Sequence, residues 1–419
     1  MQPPAVVMNM FYTGLGIARS LGELGIPVIG LTAQHGVYGN YTRYAKVTFC
    51  PDSRNEPEKL AAFLLGLAER IGDGGVLFPT RDDDVVFLDR FRGELEAHYR
   101  LVVPPSAAIS VCLDKWQTYL CAIRAGVPTP KSWLIVADED LTRALQEVKY
   151  PCVLKPLAAH YWRRAHNWEI VGGRKAIEVH SPEALIAEYA TIARADTRAL
   201  LQEMIPGGDD ALAVTACYID RSFRCAGAFN AQKLVQEPPG FGTGCIVQSV
   251  NRPELFDPTM RLLQQMHFSG IAEVEYKWHS TSNIYMLIEV NPRPWDQHIL
   301  GKACGVDLIQ LAYHDHAGLP MPVVHPQAST RKWIADDTFV ISAVRALTRR
   351  DGRLRALFRH ARGMRTYAVW SVKDPLPFFI FFTVRLIPQL AMAGLKQLWW
   401  RFTSRSAGRA VSAKGGSVA

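Results

Sequence analysis

The 419-residue sequence lacks several patterns that would assign a protein quickly to a class. Its eight cysteines are scattered and form no CxxC pair, which argues against a zinc site or a thioredoxin-like motif. Free cysteines in a cytoplasmic protein are therefore the simplest interpretation. The first residues contain no basic segment followed by a long apolar core, so no signal peptide is expected. No apolar run reaches the roughly eighteen residues of a membrane-spanning helix.

A complete dinucleotide-binding fingerprint is also missing near the start of the chain. Gly14 and Gly16 match part of GxGxxG, but the third glycine is absent and the second strand ends without an acidic residue. Packing between the helix and the strands explains these glycines better than nicotinamide binding does. A nicotinamide oxidoreductase is kept as a third candidate function, after the two that are described below. No Ser–His or Cys–His pair indicates a covalent enzyme intermediate.

Acidic residues are scarce in the C-terminal part. From residue 341 onward there are 15 Lys and Arg but 2 Asp and Glu, a charge of +13. The whole chain carries +8, so residues 1–340 carry −5. This distribution argues against a nucleic-acid groove through the fold and favours a local basic surface.

The C-terminal segment is apolar as well as basic. Residues 376–402 are rich in aromatic side chains and include Trp399 and Trp400, but Arg385, Pro388 and Lys396 interrupt them. Two alternatives stay open: a helix docked on the body, or peripheral contact of residues 376–405 with an anionic membrane. From about residue 404 a disordered tail is expected.

The order of apolar segments predicts an α/β half followed by an α+β half. Over residues 1–106 strand-like and helix-like segments alternate, as in a parallel sheet. A helix is expected from about 107 to 125. Two antiparallel hairpins should follow, over 211–234 and 271–290.

The second hairpin carries the most informative polar residues. Period-two alternation places Glu273, Glu275 and Lys277 on one face of its first strand, and Glu289 and Asn291 on one face of its second. Antiparallel pairing brings such residues within reach of one another. Carboxylate and amide oxygens are the hard ligands that magnesium takes, with water and nucleotide phosphate completing the shell.

Three cationic residues are candidates for binding a phosphate near these carboxylates. Arg293, just beyond the hairpin, can offer a forked donor to a phosphate or carboxylate. Lys155 ends an apolar strand and Lys115 follows Asp114 on a predicted helix. Because burying an unpaired ammonium is costly, a lysine in such a strand either reaches solvent or meets an anion.

Four segments occur in an order that resembles the ATP-grasp superfamily: DKWQTYLCAIRAGVPTP, PCVLKP, LLQEMIPGGDD and EVEYK…YMLIEVNPR. The resemblance covers residues 1 to about 320 and is strongest to predicted carboxylate–amine ligases, more distant to biotin carboxylase and carbamoyl-phosphate synthetase. It implies an N-terminal Rossmann-like pre-ATP-grasp domain (1–106) and a two-subdomain ATP-grasp domain (107–325, lid about 150–206). A basic, partly apolar helical C-terminal extension (326–419) would follow.

The resemblance also implies a role for each matched residue. Lys115 and Lys155 would contact the nucleotide phosphates, and Asp210, with Asp209 as the alternative, would bind the ribose. Arg293 would stabilise the transferred phosphoryl group together with Lys155, and Lys233 is a weaker catalytic candidate. The adenine hinge would consist of Gln202, Glu203, Met204 and Ile205, and the metal ligands of Glu275, Glu289 and Asn291.

The implied function is an ATP-dependent ligase that uses one or two Mg²⁺ ions, or Mn²⁺ in their place. It would activate a carboxylate as an acyl phosphate and couple it to an amine, or to a thiol, releasing ADP and phosphate. Its substrates would be small or lipid-linked, in the cytoplasm or at the inner membrane face, and the oligomeric state stays open. The alternative is a catalytically idle ATP-grasp protein that binds nucleotide and a membrane or protein partner.

Two loops depart from the family pattern. Where relatives carry a glycine-rich loop, residues 158–175 carry Arg163, Arg164 and aromatic side chains. Either the arginines donate to phosphates, or the loop binds another group, or it is a solvated loop. Residues 237–245 form a second mobile-loop candidate. Beyond Arg293, we expect the bulkier edge of Trp295, Asp296 and His298 to line the acceptor pocket.

Overall fold

A computed structural model describes residues 2–388 except 73, 163–164, 325–326, 328–329 and 350–352. Arg163 and Arg164 lie outside the described residues, as do the tryptophans at 399 and 400 and the predicted disordered tail. All eight cysteines carry free thiols, as expected from their spacing.

The N-terminal part forms the predicted parallel sheet. Its elements are β1 (Ala5–Met8), α1 (Tyr12–Gly22), β2 (Val28–Thr32), β3 (Lys46–Phe49), α2 (Pro57–Ile71), β4 (Gly75–Phe78), α3 (Asp82–Arg90), α4 (Arg92–Leu95) and β5 (Tyr99–Leu101). The strand order is β3-β2-β1-β4-β5, with every neighbouring pair parallel. Strands β1 and β4 are buried along their whole length, as central strands of a parallel sheet are.

The predicted single helix over 107–125 was wrong, because two helices occupy this stretch: α5 (Ser106–Leu113) and α6 (Lys115–Arg124). The break lies at Asp114, whose side chain accepts hydrogen bonds from the N–H groups of Trp116 and Gln117. This N-cap starts a new helix. The N–H of Lys115 donates to the carbonyl of Leu157 at 2.8 Å, which holds the start of α6 near the strand that carries Lys155.

A separate four-stranded antiparallel sheet occupies the region of the predicted lid subdomain. Its elements are β6 (Ser132–Ile135), α7 (Asp138–Glu147), β7 (Cys152–Pro156), α8 (Ala159–Trp162), α9 (Ala165–Ile170), β8 (Ile177–Val179), α10 (Pro182–Ile192) and β9 (Ala199–Glu203). The strand order is β6-β9-β7-β8. Because β6 pairs with β9, this sheet begins upstream of the lid boundary expected near residue 150.

Both predicted hairpins are confirmed within a seven-stranded sheet. The elements are β10 (Leu212–Ile219), β11 (Cys225–Glu237), β12 (Thr243–Val250), α11 (Phe256–Gln265), β13 (Gly270–His279), β14 (Ile284–Asn291), α12 (His298–Ala303) and α13 (Leu308–Ala317). Strands β10 and β11 form the first hairpin, and β13 and β14 form the second. Strand β10 pairs with β13, so the two hairpins share one surface.

The C-terminal extension is not only helical. It contains β15 (Lys332–Ile334), α14 (Asp336–Arg349), α15 (Arg353–His360), β16 (Arg365–Tyr367) and α16 (Leu376–Ile380), followed by a π-helical segment, Phe381–Leu386. Strands β15 and β16, which the sequence did not predict, extend the large sheet beyond β12. Asp374 forms a buried ion pair with Arg19 of α1 at 3.0 Å. No helix of the described chain has the length and apolarity needed to cross a membrane.

Candidate active site

One cavity of about 490 Å³ lies where the lid sheet, the seven-stranded sheet and the N-terminal sheet meet. Its lining comes from all three parts, so the fold assembles it from distant stretches of chain. It contains every residue predicted for the nucleotide, metal and catalytic sites except Asp210 and its alternative Asp209: Lys115, Lys155, Gln202, Glu203, Met204, Ile205, Lys233, Glu275, Glu289, Asn291 and Arg293.

The acidic floor of the cavity follows from the register of β13 and β14. Glu275 lies opposite Glu289, and Glu273 lies opposite Asn291. The Asn291 amide donates to Glu273 at 3.0 Å and to Glu289 at 3.2 Å. Three carboxylates and an amide therefore share one patch, as period-two alternation predicted.

Positive charge from neighbouring segments balances this patch. Lys233 of β11 forms a buried ion pair with Glu275. Burial raises the pKa of Glu273 to about 8, with the nearby Glu275 adding to the rise and Lys233 opposing it. Burial also acts to raise the pKa of Glu289, but Lys115 and Lys233 outweigh it and the pKa is lowered. Glu289 thus stays ionised while Glu273 tends towards the neutral acid.

The lid contributes a lysine with an unusual environment. The Lys155 ammonium donates to Gln202 Oε1 at 2.7 Å, and the Gln202 amide donates to Ser132 at 3.0 Å. Burial, together with the like charge of Lys115, lowers the pKa of Lys155 to about 8. A weakly solvated ammonium of this kind is suited to bind an anion, because an anionic partner restores the charged form.

Arg293 crosses from the seven-stranded sheet to the N-terminal domain. Its Nε donates to Asp82 Oδ1 at 2.6 Å, and Asp82 is the first residue of α3. Asp82 raises the pKa of Arg293, although burial opposes this, so the guanidinium is permanently charged. The ion pair fixes the direction of the guanidinium at the wall of the cavity.

Three residues that were expected to contact substrates do not line the main cavity: Asp209, Asp210 and His298. Asp210 lines a second cavity of about 450 Å³ on the far side of the hinge, so the structure does not bring it to the other predicted residues. Asp209 accepts hydrogen bonds from the N–H groups of Gln236 and Gly240. Trp295 and Asp296 line the main cavity. His298 is buried against α1, where its Nε2 lies 3.0 Å from the Thr13 carbonyl oxygen.

Comparisons with known proteins bear on this arrangement. The family model described as "Carbamoyl-phosphate synthase L chain, ATP binding domain" matches residues 208–323. D-alanine–D-alanine ligase B of Pseudomonas putida is 24% identical over 214 residues, which is 49% of this chain and 63% of that protein. D-aspartate ligase of Enterococcus faecium is 20% identical over 320 residues, 74% of each chain.

Solved structures agree in fold. An ADP complex of N5-carboxyaminoimidazole ribonucleotide synthetase superposes with a TM-score of 0.62 at 16% identity, covering 83% of this chain and 86% of that one. In residues 208–323 the chain is similar to this ATP-binding domain, and its fold is similar to that of the synthetase. It spans less than two thirds of the length of the D-alanine–D-alanine ligase.

The oxygen atoms on β13 and β14 fit magnesium. Glu275, Glu289 and the Asn291 carbonyl oxygen make an oxygen-only set that leaves coordination positions for water and phosphate. Within the described residues, no group of three or more His, Cys, Asp and Glu side chains is arranged to hold a metal ion by itself. The Lys233 ammonium contacts Glu275 where this donor set would meet a cation. The residues therefore fit a divalent ion shared with a nucleotide.

One wall of the cavity was not predicted from the sequence. Arg54, Thr80, Arg81, Asp82 and Asp83 line it from the N-terminal domain. Four of them lie just beyond β4, and ligands of open parallel sheets bind at the carboxyl ends of strands. The polar run TRDDD after VLFP was therefore a usable signal. Buried Asp84 holds this turn by accepting hydrogen bonds from the Thr80 N–H and from surrounding side chains.

Proposed function

We propose that the protein is an ATP- and magnesium-dependent ligase that joins a carboxylate to an amine with release of ADP and phosphate. The observation that carries the proposal is the single cavity in which Lys155, Lys115 and the hinge lie opposite Glu289, Asn291 and Arg293. Hinge, cations and carboxylates together suit a nucleotide triphosphate and a second substrate. The D-alanine–D-alanine and D-aspartate ligases, by their names, form such bonds and support the proposal.

Each set of residues has a separate role in phosphoryl transfer. Lys115 and Lys155 neutralise the phosphates, while backbone groups of residues 203–205 hold the adenine. Glu275, Glu289 and Asn291 would hold Mg²⁺, which when bound neutralises charge on the phosphates and orients them. The substrate carboxylate oxygen forms a bond to the γ-phosphorus as the bond to the ADP oxygen breaks. Arg293 stabilises the charge on the transferred group.

The second step needs a dry site. The amine nitrogen attacks the acyl carbon, the bond to phosphate breaks, and the nitrogen loses a proton. Water would consume the acyl phosphate, so the lid and the loop of residues 238–242 must cover the cavity. Lys233 lies beside this loop on β11 and is placed to contact the phosphate or the acceptor.

Measuring ADP release with Mg²⁺ across a panel of acids and amines tests the proposal. Wild-type protein should release ADP only when a suitable acid and amine are both present. We expect Glu289→Gln and Asn291→Ala to lower this rate about 100-fold or more, because the first removes the negative charge of a metal ligand and the second removes an oxygen ligand. Glu139→Gln, an exposed carboxylate on α7, is the control and should behave as wild type.

Two results would count against the proposal. If Glu289→Gln keeps the wild-type rate, the assigned metal ligands do not serve the reaction. Tight ATP binding by calorimetry without turnover on any acid–amine pair would instead support an idle nucleotide-binding module.

We also propose that the C-terminal segment binds an anionic membrane surface, which would place the ligase at the inner membrane face. One side of residues 376–387 is buried, and Phe381 packs edge-on against Tyr38 with ring centroids 5.8 Å apart. The other side exposes Leu376, Phe379, Phe382, Val384 and Ile387. Beyond Asp374 the chain has six basic residues and no acidic one, which suits anionic lipid.

Co-sedimentation with vesicles tests this surface. We expect the full chain to pellet with vesicles containing phosphatidylglycerol and much less with pure phosphatidylcholine. Replacing Phe379 and Phe382 by serine should reduce binding, whereas Ile186→Ser, which changes an equally exposed residue of the lid, should not. Equal recovery in the supernatant with both lipids would refute membrane contact and leave the ligase proposal untouched.

A further inference from the structure

Two glutamines that belong to no predicted site face the cavity without partners. Gln236 is 3% exposed and Gln297 is 6% exposed, and both line the cavity. The buried Oε1 of Gln236 has no hydrogen-bond partner. Among the described residues, neither carboxamide forms a hydrogen bond to protein, whereas Gln202 in the same cavity is bonded to Lys155 and Ser132. Buried polar groups are normally paired, so the unpaired Oε1 of Gln236 indicates a ligand, and Gln297 is a second polar group that this ligand can contact.

A β-bulge aims Gln236 at the cavity. Three positions separate it from Lys233, which in a regular strand would turn the two side chains to opposite faces. The register of β11 against β12 shifts between Lys233 and Val235 and again before Gln236, and both Lys233 and Gln236 are buried. Bulges re-aim side chains in this way. Gln236 therefore shares the face of Lys233.

The position of Gln236 is fixed from the hinge side. Its backbone N–H donates to Asp209 Oδ2 at 2.8 Å, and the N–H of Gly240 donates to Asp209 Oδ1 at 3.1 Å. One carboxylate therefore ties both the start and the middle of the loop to the residue that follows the hinge. Asp209 acts through Gln236 and is a positioning residue.

Gly244 brings the two glutamines to the same end of the cavity. It pairs with Gln236 across β11 and β12. A Cβ at Gly244 would lie 3.5 Å from Gln297 Nε2 and 3.8 Å from Lys233 Cγ. Gln297 also follows Arg293 by four residues, and both line the cavity, so the glutamine pair lies near the residue proposed to stabilise the transferred phosphoryl group.

We propose that Gln236 and Gln297 bind a neutral hydroxyl or amide group of the acceptor substrate, next to its reacting atom. A carboxamide offers one acceptor and a pair of donors without charge, which matches a hydroxyl or another amide. The cations closest to this end, Lys233 and Arg293, are already paired with Glu275 and Asp82. A second carboxylate on the substrate is thus less suited than a neutral polar group. The inference rests on the proposed ligase function and narrows its substrate class.

Thermal shifts with matched probes test this inference. Protein loaded with magnesium and a non-hydrolysable ATP analogue is mixed with serine or alanine, asparagine or leucine, and gluconate or hexanoate. We expect at least one polar member to raise Tm by several degrees more than its apolar partner. Gln236→Leu and Gln297→Leu should abolish the difference, because each removes a bonding group while keeping the bulk.

A third glutamine on the same strand is the control. Gln232 lies on the opposite face of β11, lines the second cavity and donates to the Asp210 carbonyl, so Gln232→Leu should retain the difference. Should a leucine variant fail to fold, the near-isosteric Gln236→Glu and Gln297→Glu replace it, and the same loss is expected. No difference within any pair for wild type, or a difference that survives in both variants, overturns the inference. Failure of the ligase proposal is separate, since it shows as absent ADP release.

Discussion

The two ends of the cavity are built in different ways. At the phosphate end, Glu275, Glu289 and Asn291 come from two consecutive strands whose register sets their positions. At the acceptor end, the turn after β4, the loop between β11 and β12 and Gln297 come from three distant stretches of chain. The residues of the first end can be predicted from period-two alternation along the strands. The residues of the second end come together only in the folded structure. The phosphate end should therefore govern turnover in general, and the acceptor end the choice of substrate.

The Arg293–Asp82 ion pair joins the two ends. These residues are 211 positions apart in the chain, yet Nε and Oδ1 lie 2.6 Å apart. Arg293 belongs to the segment that continues β14, which carries the proposed metal ligands, and Asp82 belongs to the proposed acceptor wall. A substrate bound at that wall therefore lies beside the guanidinium that would stabilise phosphoryl transfer. Loss of this ion pair should therefore affect both phosphoryl transfer and the choice of substrate.

The largest effect is expected at the phosphate end. Lys155→Met should lower kcat/KM for ATP about 100-fold to 1000-fold, because it removes one preorganised cation from the charge that develops. The loss should be the same for every acceptor that wild type uses. Lys149→Met, an exposed lysine of the same subdomain, is the control. A loss confined to one acceptor would break the assignment of Lys155 to general turnover.

A smaller effect is expected at the joining ion pair. Asp82→Asn leaves Arg293 charged but no longer aligned, and misplacement of a catalytic group by about 1 Å can cost about 100-fold in rate. We expect kcat to fall about 10-fold to 100-fold while KM for ATP changes little. Asp89→Asn, which disturbs the Arg92 pair of the same domain, should leave both constants unchanged. An increase in KM for ATP alone would place Asp82 at the nucleotide instead.

The residues of the phosphate end could be predicted because short sequence patterns along neighbouring strands set their positions. Alternation along IAEVEYK and YMLIEVN placed Glu275 and Glu289 on facing strands, and the observed register pairs them directly. The hinge and Lys155 were predicted from the family resemblance, and they line the same cavity. Their roles in binding and catalysis stay predictions.

The residues of the acceptor end could not be predicted because no periodic sequence pattern sets their positions. The bulge beyond Lys233 inverts the face of Gln236, and strict alternation along FNAQKLVQ would have assigned it to the wrong side. The break at Asp114 is a capping effect within an otherwise helical pattern. Strands β15 and β16 have three residues each and gain their conformation from pairing with the sheet, not from their own sequence.

The pH dependence of nucleotide binding sharpens the assignment of Lys155. Its pKa in the free protein is about 8, so the ammonium is largely present below pH 8 and lost above it. Bound phosphate favours the charged form, so binding above pH 8 must take up a proton and weakens by up to about tenfold per pH unit. Calorimetry at pH 8.5 in buffers of different ionisation enthalpy should report that proton. Lys155→Met should bind with a flatter pH profile, and an unchanged profile would contradict the assignment.

The smallest effect separates two adjacent carboxylates. Asp209→Asn loses one of the two acceptors for the loop N–H groups, which costs about 1 kcal/mol and should raise KM for the acceptor about fivefold with KM for ATP unchanged. Faster hydrogen exchange of residues 238–242 should accompany it. Asp210→Asn, on the second cavity, should change neither constant. If Asp210 instead binds the ribose, as the family resemblance implies, its variant will raise KM for ATP, and the hinge must then close further over the nucleotide than the free protein shows.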